Sequence, residues 1–406
     1  SGQKKGFTLS HAIIIVLLVV VGILLYPKIF TGDQYKTVRN EAGQIHLAVL
    51  PFTNQTGDSS MDWISTGISS MLTNGLGSSD ELLVYNDQGM GEIIDGMKEI
   101  NAAGITGSQA PDIVRKTGAQ AYISGSFQGR GDTYRILANL FSTEGGEILH
   151  RWQVEGNPNS DAYLVLVDSL CRLIRSELEI RALEQEVAFD FRKAYTSSSE
   201  AYRHYIGGMN ALIRCNFDYA IEHLKKALEI DSTFAFATFY IAMALNYNIA
   251  EWENTIGWVT RAYELKSALP IIYQQWIDLW YSCFFYNDLT ILRQQLTALE
   301  SSGIESRLFW NDLANTRRDY TDNPDQALKN YEMVMRISER RGDPWRFAAF
   351  YVGYGRALHI KDRYQEAEEM YSQALKLTTE ETVRRSCFGR WAINAISSGD
   401  SAKASE

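Results

Sequence analysis

Residue types that catalyse reactions are plentiful in this sequence, but their spacing fits no catalytic or metal-binding arrangement. The six histidines are scattered and form neither HxxxH nor HExxH, and no GxSxG is present. The four cysteines stand singly, without the CxxC pair of a zinc or redox site, so each is expected to be a small buried apolar residue. We therefore expect no enzyme, metal or cofactor within these residues. The histidines are His11, His46, His150, His204, His223 and His359, and the cysteines are Cys171, Cys215, Cys283 and Cys387.

One polar loop is a candidate for binding a small ligand. It follows the apolar run from Ile45 to Phe52, which predicts a buried strand. Its candidate residues are Asn54, Thr56 and Asp58. Loops at the carboxyl ends of strands bind ligands in many α/β domains. The same residue types also form turns and helix caps, so both interpretations stay open.

Composition and charge limit the classes of function. With 406 residues, 45% of them hydrophobic, the chain is long enough for two or three folded domains. The formal net charge is −10, although residues 1–28 contain three lysines and no acid. An acidic chain repels phosphate backbones, so we expect no direct contact with nucleic acid. Because the chain begins with Ser1 and stops inside a helical pattern, we expect a fragment of a longer protein.

Strand and helix patterns alternate from about residue 44 to residue 180. Short apolar or alternating runs bounded by turn residues predict the strands, and apolar residues at helical spacing predict the helices. Their order predicts a mixed sheet with helices packed on it. The predicted strands are 45–52, 82–85, 121–128, 134–141 and 148–154, and the predicted helices are 61–76, 93–97, 110–117 and 161–180.

Three phrases in this region resemble the TolB-type amino-terminal domain of bacterial regulators. They are AVLPFTNQTGD at 48–58, WISTGI at 63–68 and AQAYISGSF at 119–127, the last followed by a predicted hairpin. The similarity extends over the domain in the expected order. It implies an α/β fold, and it implies no particular activity.

From residue 198 to the end, the sequence repeats with the period of tetratricopeptide (TPR) helix pairs. These repeats are about 34 residues long, with a small residue at position 8 and alanines at positions 20 and 27. Looser copies occupy 235–268 and 271–302 and begin again at Leu308, and one more helix follows Val383. The count is five repeats and a truncated sixth. Counted from Ala201 the marker residues are Gly208, Ala220 and Ala227, and counted from Ala348 they are Gly355, Ala367 and Ala374.

The first helices of such repeats line a concave groove. Its predicted surface is apolar in the first repeat and partly basic in the last, which suits an extended or helical peptide. The alternative is that this aromatic face packs on the α/β domain or on a neighbouring subunit. The candidate groove residues are Tyr202, Tyr205, Met209, Phe309, Asp312, Arg356 and His359.

Residues 7–30 predict a membrane anchor. No charge occurs from Ala12 to Tyr26, and the stretch from Phe7 onward is about 20 residues, which spans a bilayer core as a helix. Two lysines precede it, which predicts a cytoplasmic N-terminus. The beginning, KKGFTL at 4–9, is similar to type IV prepilins, but His11 stands where that family has a glutamate. A plain signal anchor is the favoured interpretation.

The expected fold is therefore an α/β domain plus an all-α TPR superhelix, preceded by one transmembrane helix. This order resembles the extracytoplasmic half of membrane signalling proteins, including CadC-type and ToxR-like regulators. The resemblance implies a bacterial inner-membrane protein with its bulk in the periplasm, a protein or peptide ligand or self-association, and a cytoplasmic winged-helix, nucleotide-cyclase or Ser/Thr kinase output outside this sequence. The alternatives are a membrane-tethered scaffold for envelope complexes without signalling output and, as the weakest, a pilin-like component. The predicted divisions are 1–31 (stub and anchor), 44–180 (α/β domain), 181–197 (linker helix) and 198–406 (repeats).

Overall fold

A computed structural model describes the α/β region and the helical repeats. The predicted anchor, residues 7–30, and most of the predicted linker helix lie outside the described residues. Within the part of the chain that the structure describes, no helix is long and apolar enough to cross a membrane. The described residues are 35, 38–40, 43–77, 82–85, 90–91, 93–94, 105, 109–130, 133–157, 162–178, 191–247, 252–286, 288–302, 304, 306–321, 323–342, 344–378 and 381–399.

The described region contains one mixed sheet, as predicted, with six strands where five were predicted. The strand order is β3-β1-β4-β5-β6, with β2 beside β4. β1 runs parallel to β3 and β4, β2 runs parallel to β4, and the other neighbours are antiparallel. The strands are β1 Ile45–Val49, β2 Thr53–Asn54, β3 Leu82–Val84, β4 Ala121–Arg130, β5 Thr133–Ser142 and β6 Ile148–Gly156.

The first predicted strand, 45–52, is shorter in the structure than predicted. β1 ends at Val49, and the short strand β2 begins at Thr53 after a break. Pro51 lies in that break, and proline has no amide hydrogen with which to continue the hydrogen-bond ladder. The loop that follows β2 leads to the next helix, which begins at Trp63.

Helices cover both faces of the sheet. On one face, Leu47 and Val49 are buried in a cluster with residues of α1 and α3. On the other face, Ala48 and Leu50 are buried with residues of α2. A strand that is buried on both sides reads as a continuous apolar run, which is the pattern of this segment. These helices are α1 Trp63–Leu76, α2 Ala110–Arg115 and α3 Ala162–Leu178.

The helices after residue 190 follow the predicted rhythm of pairs. A short helix, α4, leads into five consecutive pairs, α5/α6 to α13/α14, and α15 packs on the last pair. The helices are α4 Phe191–Ala194, α5 Ser199–Ile213, α6 Phe217–Ile230, α7 Ala235–Tyr247, α8 Trp252–Leu265, α9 Ile271–Phe285, α10 Leu289–Glu300, α11 Arg307–Tyr320, α12 Pro324–Arg341, α13 Ala348–Ile360, α14 Tyr364–Leu377 and α15 Glu381–Ser397.

The marker residues of the repeats lie where the two helices of a pair touch. A Cβ added to Gly208 would come within 2.6 Å of Leu224 Cγ, and one added to Gly355 within 2.5 Å of Tyr371 Cε1. The helices of these pairs can approach this closely only because the position carries no side chain. The alanines of the pattern, Ala220, Ala227, Ala367 and Ala374, are all fully buried.

Candidate functional site

The α/β domain and the first repeat share one apolar core. Tyr202 of α5 is fully buried, and its hydroxyl donates to the carbonyl oxygen of Gly67 in α1 at 3.0 Å. Its ring lies 5.6 Å from that of Trp63 and 5.5 Å from that of Tyr163, measured between centroids. A Cβ on Gly67 would lie 2.6 Å from Tyr202 Cε1, so α1 and α5 are in direct contact. Burial of these aromatic side chains between the two domains stabilises their relative position.

Later repeats also contact the α/β domain through buried polar groups. At the end of α1, the amide of Asn74 donates to the Tyr195 hydroxyl at 2.9 Å, and its oxygen accepts from the Tyr273 hydroxyl of α9 at 3.1 Å. From the end of α12, Arg341 Nη2 donates to the Tyr85 hydroxyl, just after β3, at 2.6 Å. The segment before the first repeat and three of the helix pairs therefore hold the α/β domain.

These contacts determine where the predicted groove residues lie. Tyr202, Tyr205 and Phe309 are fully buried, and Met209 and Asp312 are nearly so. Tyr205 packs against Tyr195 and Phe234 as well as Tyr202, and Phe309 packs against Trp276. None of these five side chains is open to a peptide in this structure, because the α/β domain and neighbouring helices cover the inner face. In the first repeat, this aromatic face packs on the α/β domain, which is the alternative to peptide binding given in the sequence analysis.

Asp312 is the centre of a buried polar network. Its Oδ2 accepts from the indole nitrogens of Trp276 at 2.6 Å and Trp280 at 2.7 Å, and its Oδ1 accepts from the Asn246 amide at 2.9 Å. Burial raises the pKa of Asp312 to about 6, although these three hydrogen bonds oppose that shift. The network joins α7, α9 and α11, so Asp312 positions three repeats.

Arg356 lies in a cluster of arginines on the last two helix pairs and α15. Arg318, Arg356 and Arg390 come from α11, α13 and α15, and all three act electrostatically on Tyr371. Asp319 faces two of them, with oxygens 2.6 Å from Arg318 Nη2 and 3.4 Å from Arg356 Nη2. Burial, together with Arg318 and Arg390, lowers the pKa of Arg356. Asp319 is paired with Arg318 and Arg356, and Arg390 adds a third positive charge near Arg356, so the cluster carries more positive than negative charge.

This arginine cluster (Arg318, Arg356 and Arg390) is partly open. The Arg356 side chain is 32% exposed, Arg390 is exposed, and Arg318 is buried. The remaining predicted groove residue, His359, follows Arg356 on α13 and is half-buried, with Nδ1 2.9 Å from the Asn394 side-chain oxygen of α15. Of the seven predicted groove residues, Arg356 and His359 are thus the two that solvent reaches.

A cleft of about 560 Å³ lies between α1 and the first helix pair. His204 of α5 and His223 of α6 meet in it with their Nδ1 atoms 3.4 Å apart. Burial lowers the pKa of His223, and the neighbouring His204 adds to the effect. The lining residues are Asp62, Trp63, Thr66, Arg203, His204, Ile206, Gly207, Asn210 and His223.

The candidate loop residues lie beside this cleft and hold one another. The Asn54 amide donates to the carbonyl oxygen of Asp58 at 2.8 Å and to Asp62 Oδ1 at 2.7 Å, and Asn54 Oδ1 accepts from the Thr56 hydroxyl at 2.6 Å. The Asp58 carboxylate caps the next turn by accepting from the Ser60 amide at 2.9 Å. These are turn and cap contacts. Through its hydrogen bond, Asn54 also orients Asp62, and Asp62 lines the cleft.

In the described part of the chain, no group of three or more His, Cys, Asp or Glu side chains is placed to hold a metal ion. The four cysteines have free thiols; Cys171 and Cys387 are buried as expected, whereas Cys215 and Cys283 are only half-buried. Arg356 was named from the sequence, but neither the histidine pair nor the other two arginines of the cluster were found from it. The members of the pair and of the cluster lie 19 or more positions apart, and the only signal was that both histidines fall in the first repeat.

The fold is that of an α/β domain packed against an array of TPR-type helix pairs. No family model matches the chain, and no curated protein matches it. Among solved structures, a chain of the APC/C hetero-tetramer Cut9-Hcn1 is similar, with 16% identity and a TM-score of 0.36, over 58% of this chain but only 41% of that one. The C-terminal domain of LpoB from Salmonella enterica aligns with 19% identity and a TM-score of 0.25, over 31% of this chain and 99% of that domain. These scores are too low to support an argument.

Proposed function

We propose that this chain is a protein-interaction region that binds an acidic segment of a partner at the arginine cluster. The observation that carries the proposal is that the α/β domain and neighbouring helices bury the inner residues of the earlier repeats, while Arg356 of the last pair and Arg390 of α15 remain accessible. The part of the inner face that a partner can reach is therefore the basic surface around Arg356 and Arg390.

The charge of the cluster defines the chemistry of the partner. The whole chain carries a formal net charge of −10, so a site with three arginines and one carboxylate stands out from its surroundings. Guanidinium groups bind carboxylates through paired hydrogen bonds. Arg318 is already held by Asp319 and by Asn315 Oδ1 at 2.8 Å, which fixes the base of the site. Arg356 and Arg390 would make the contacts to the partner.

Charge reversal tests this proposal. Fluorescence anisotropy would compare binding of a labelled glutamate-rich peptide and a lysine-rich peptide of equal length to the chain. Arg356→Glu and Arg390→Glu are each expected to weaken binding of the acidic peptide at least about tenfold and to reduce its salt dependence. Arg336→Glu, at an exposed position of α12, is the matched control and should change little. Equal binding of both peptides, or full binding by both cluster variants, contradicts the proposal.

We further propose that the interaction region belongs to a single-pass signalling protein of the bacterial inner membrane and lies on the periplasmic side. The apolar stretch within residues 7–30 and the resemblance of 48–58 and 119–127 to TolB-type domains support this. Ligand binding would change the packing between α1 and α5 and so alter dimerisation and the cytoplasmic output. A membrane-tethered scaffold without output is the alternative.

Two measurements distinguish these finer proposals. Maleimide labelling of cysteines introduced before and after the apolar stretch, in intact cells, should reach only the residue on the C-terminal side. Labelling of both sites, or recovery of the chain without membranes, argues against the anchor. The gene sequence ahead of Ser1 should encode a winged helix, cyclase or kinase; a start codon within a few residues favours the scaffold.

A further inference from the structure

Two imidazole rings converge in the cleft between α1 and the first helix pair. His204 and His223 place their Nδ1 atoms 3.4 Å apart. Their ring centroids are 5.3 Å apart, and the ring planes are inclined by 55°. The two nitrogens thus face each other across a gap at the wall of an open cleft.

We propose that His204 and His223 form a two-imidazole site for a divalent transition-metal ion, with Cu²⁺ bound more tightly than Ni²⁺ or Zn²⁺. Imidazole nitrogen suits these ions, and Cu²⁺ heads the order of affinity. An ion about 2.05 Å from each nitrogen would see the two donors, 3.4 Å apart, at an angle of about 112°. That angle is close to tetrahedral, so the ion fits without movement of either nitrogen.

The separation of the rings supports the same geometry. An ion on the outward axis of each nitrogen, at the distance and angle above, requires ring centroids about 5.3 Å apart. The centroids are 5.3 Å apart. A linear hydrogen bond between the same two nitrogens would place the centroids about 5.7 Å apart instead. The observed separation is thus the one that a shared ion requires, and it is shorter than that of a linear hydrogen bond.

The surroundings hold the second ring and leave room for the rest of the coordination sphere. Gly207 lies beneath His223, and a Cβ there would come within 2.9 Å of Nδ1, while the Tyr219 ring stacks on the other side at 4.3 Å between centroids. Water in the cleft of about 560 Å³ would fill the remaining positions. The site is open, so exchange of the ion would be rapid.

Charges near the pair are nearly balanced. Asp62 lines the same cleft with a carboxylate, and Arg203 lines it with a cation. Lys226, which also acts on His223, is paired with Glu222 at 2.6 Å. The affinity would therefore come from the two nitrogens and would be lower than that of a complete set of protein ligands.

Copper titration of the full chain tests the proposal. Cu²⁺ would be added at pH 7, and electron paramagnetic resonance would count the coordinating nitrogens while calorimetry gives the affinity. The variants are His204→Gln and His223→Gln, and His359→Gln is the matched control because that histidine lies beside Asn394, away from the pair. Circular dichroism would show that each variant is folded.

One bound Cu²⁺ with couplings to two nitrogens is expected in the wild type and in the control. Either variant of the pair should lower the affinity at least about tenfold and reduce the couplings to one. As a second test, Gly207→Ala should weaken binding by displacing His223, although it removes no ligand. Wild-type affinity in both His204→Gln and His223→Gln, or a wild-type spectrum without two nitrogen couplings, overturns the proposal.

Discussion

The contact between Gly67 and Tyr202 allows the domain interface to be tested with a single methyl group. Replacing glycine with alanine inside a helix normally stabilises it by about 1 kcal/mol. At Gly67 the added Cβ would lie 2.6 Å from Tyr202 Cε1, and overpacking of this kind costs about 1–3 kcal/mol. We therefore expect Gly67→Ala to lower the free energy of unfolding by up to about 2 kcal/mol.

A matched glycine provides the control. Gly257 lies inside α8 and is exposed, and an added Cβ would meet nothing within 4 Å. Gly257→Ala is expected to raise the free energy of unfolding by up to about 1 kcal/mol. Urea titrations followed by circular dichroism would measure the free energy of unfolding of both variants. The m-value, which is the slope of that free energy against urea concentration, should be the same as in the wild type.

A double-mutant cycle then assigns the effect to the interface. Tyr202→Leu removes the ring atom that the new methyl group would strike. In that background Gly67→Ala should become stabilising, which gives a coupling free energy of about 1–3 kcal/mol. If Gly67→Ala stabilises the wild-type chain as much as Gly257→Ala does, or if the coupling is zero, α1 and α5 do not pack as described.

Three further expectations follow from buried groups. Because the folded pKa of Asp312, about 6, exceeds its unfolded value of 3.8, the wild type should lose about 2 kcal/mol of stability as pH rises from 4 to 6, and Asp312→Asn should lose that much less. Urea titrations at each pH would show this, and parallel curves would contradict it. Tyr85→Phe removes the acceptor of Arg341 and should cost about 1.5–3 kcal/mol by the same measurement; a cost near zero would mean that the contact contributes nothing. Burial raises the pKa of Cys171 and raises that of Cys387 to about 11. Both thiols should therefore be labelled by a disulfide reagent at pH 8 only when the chain unfolds, which peptide mass spectrometry would show. Rapid labelling of the folded chain would place them at the surface.

The repeats could be predicted from the sequence because the residues that mark them lie close together along the chain. Gly208, Ala220 and Ala227 recur at a fixed spacing, and each contact they make lies within one helix pair. The mixed sheet was readable for a similar reason, since apolar runs and turn residues mark strands. The end of β1 before Pro51 was missed because the apolar run continues to Phe52.

The candidate sites could be predicted only in part, because they depend on contacts between segments that are far apart in the sequence. Tyr202 meets Gly67 across 135 positions of sequence, and the Asn74–Tyr273 contact spans 199. Spacing alone identified Tyr202 and Tyr205 as residues of the inner face, but it could not show what covers that face. Arg356 was identified, whereas its partner Arg390 belongs to a helix whose position follows only from the packed array.

Hydrogen exchange gives the most direct test of the central claim, that the α/β domain and the repeats pack as one unit and leave the last pairs for a partner. Mass spectrometry would compare the wild type with Tyr202→Leu, a change confined to α5. The amides of α1, more than a hundred positions away, should exchange faster in the variant, while those of α13 and α14 should not change. Unchanged protection of α1, with faster exchange only in α5 and α6, would show that the two domains do not share a core.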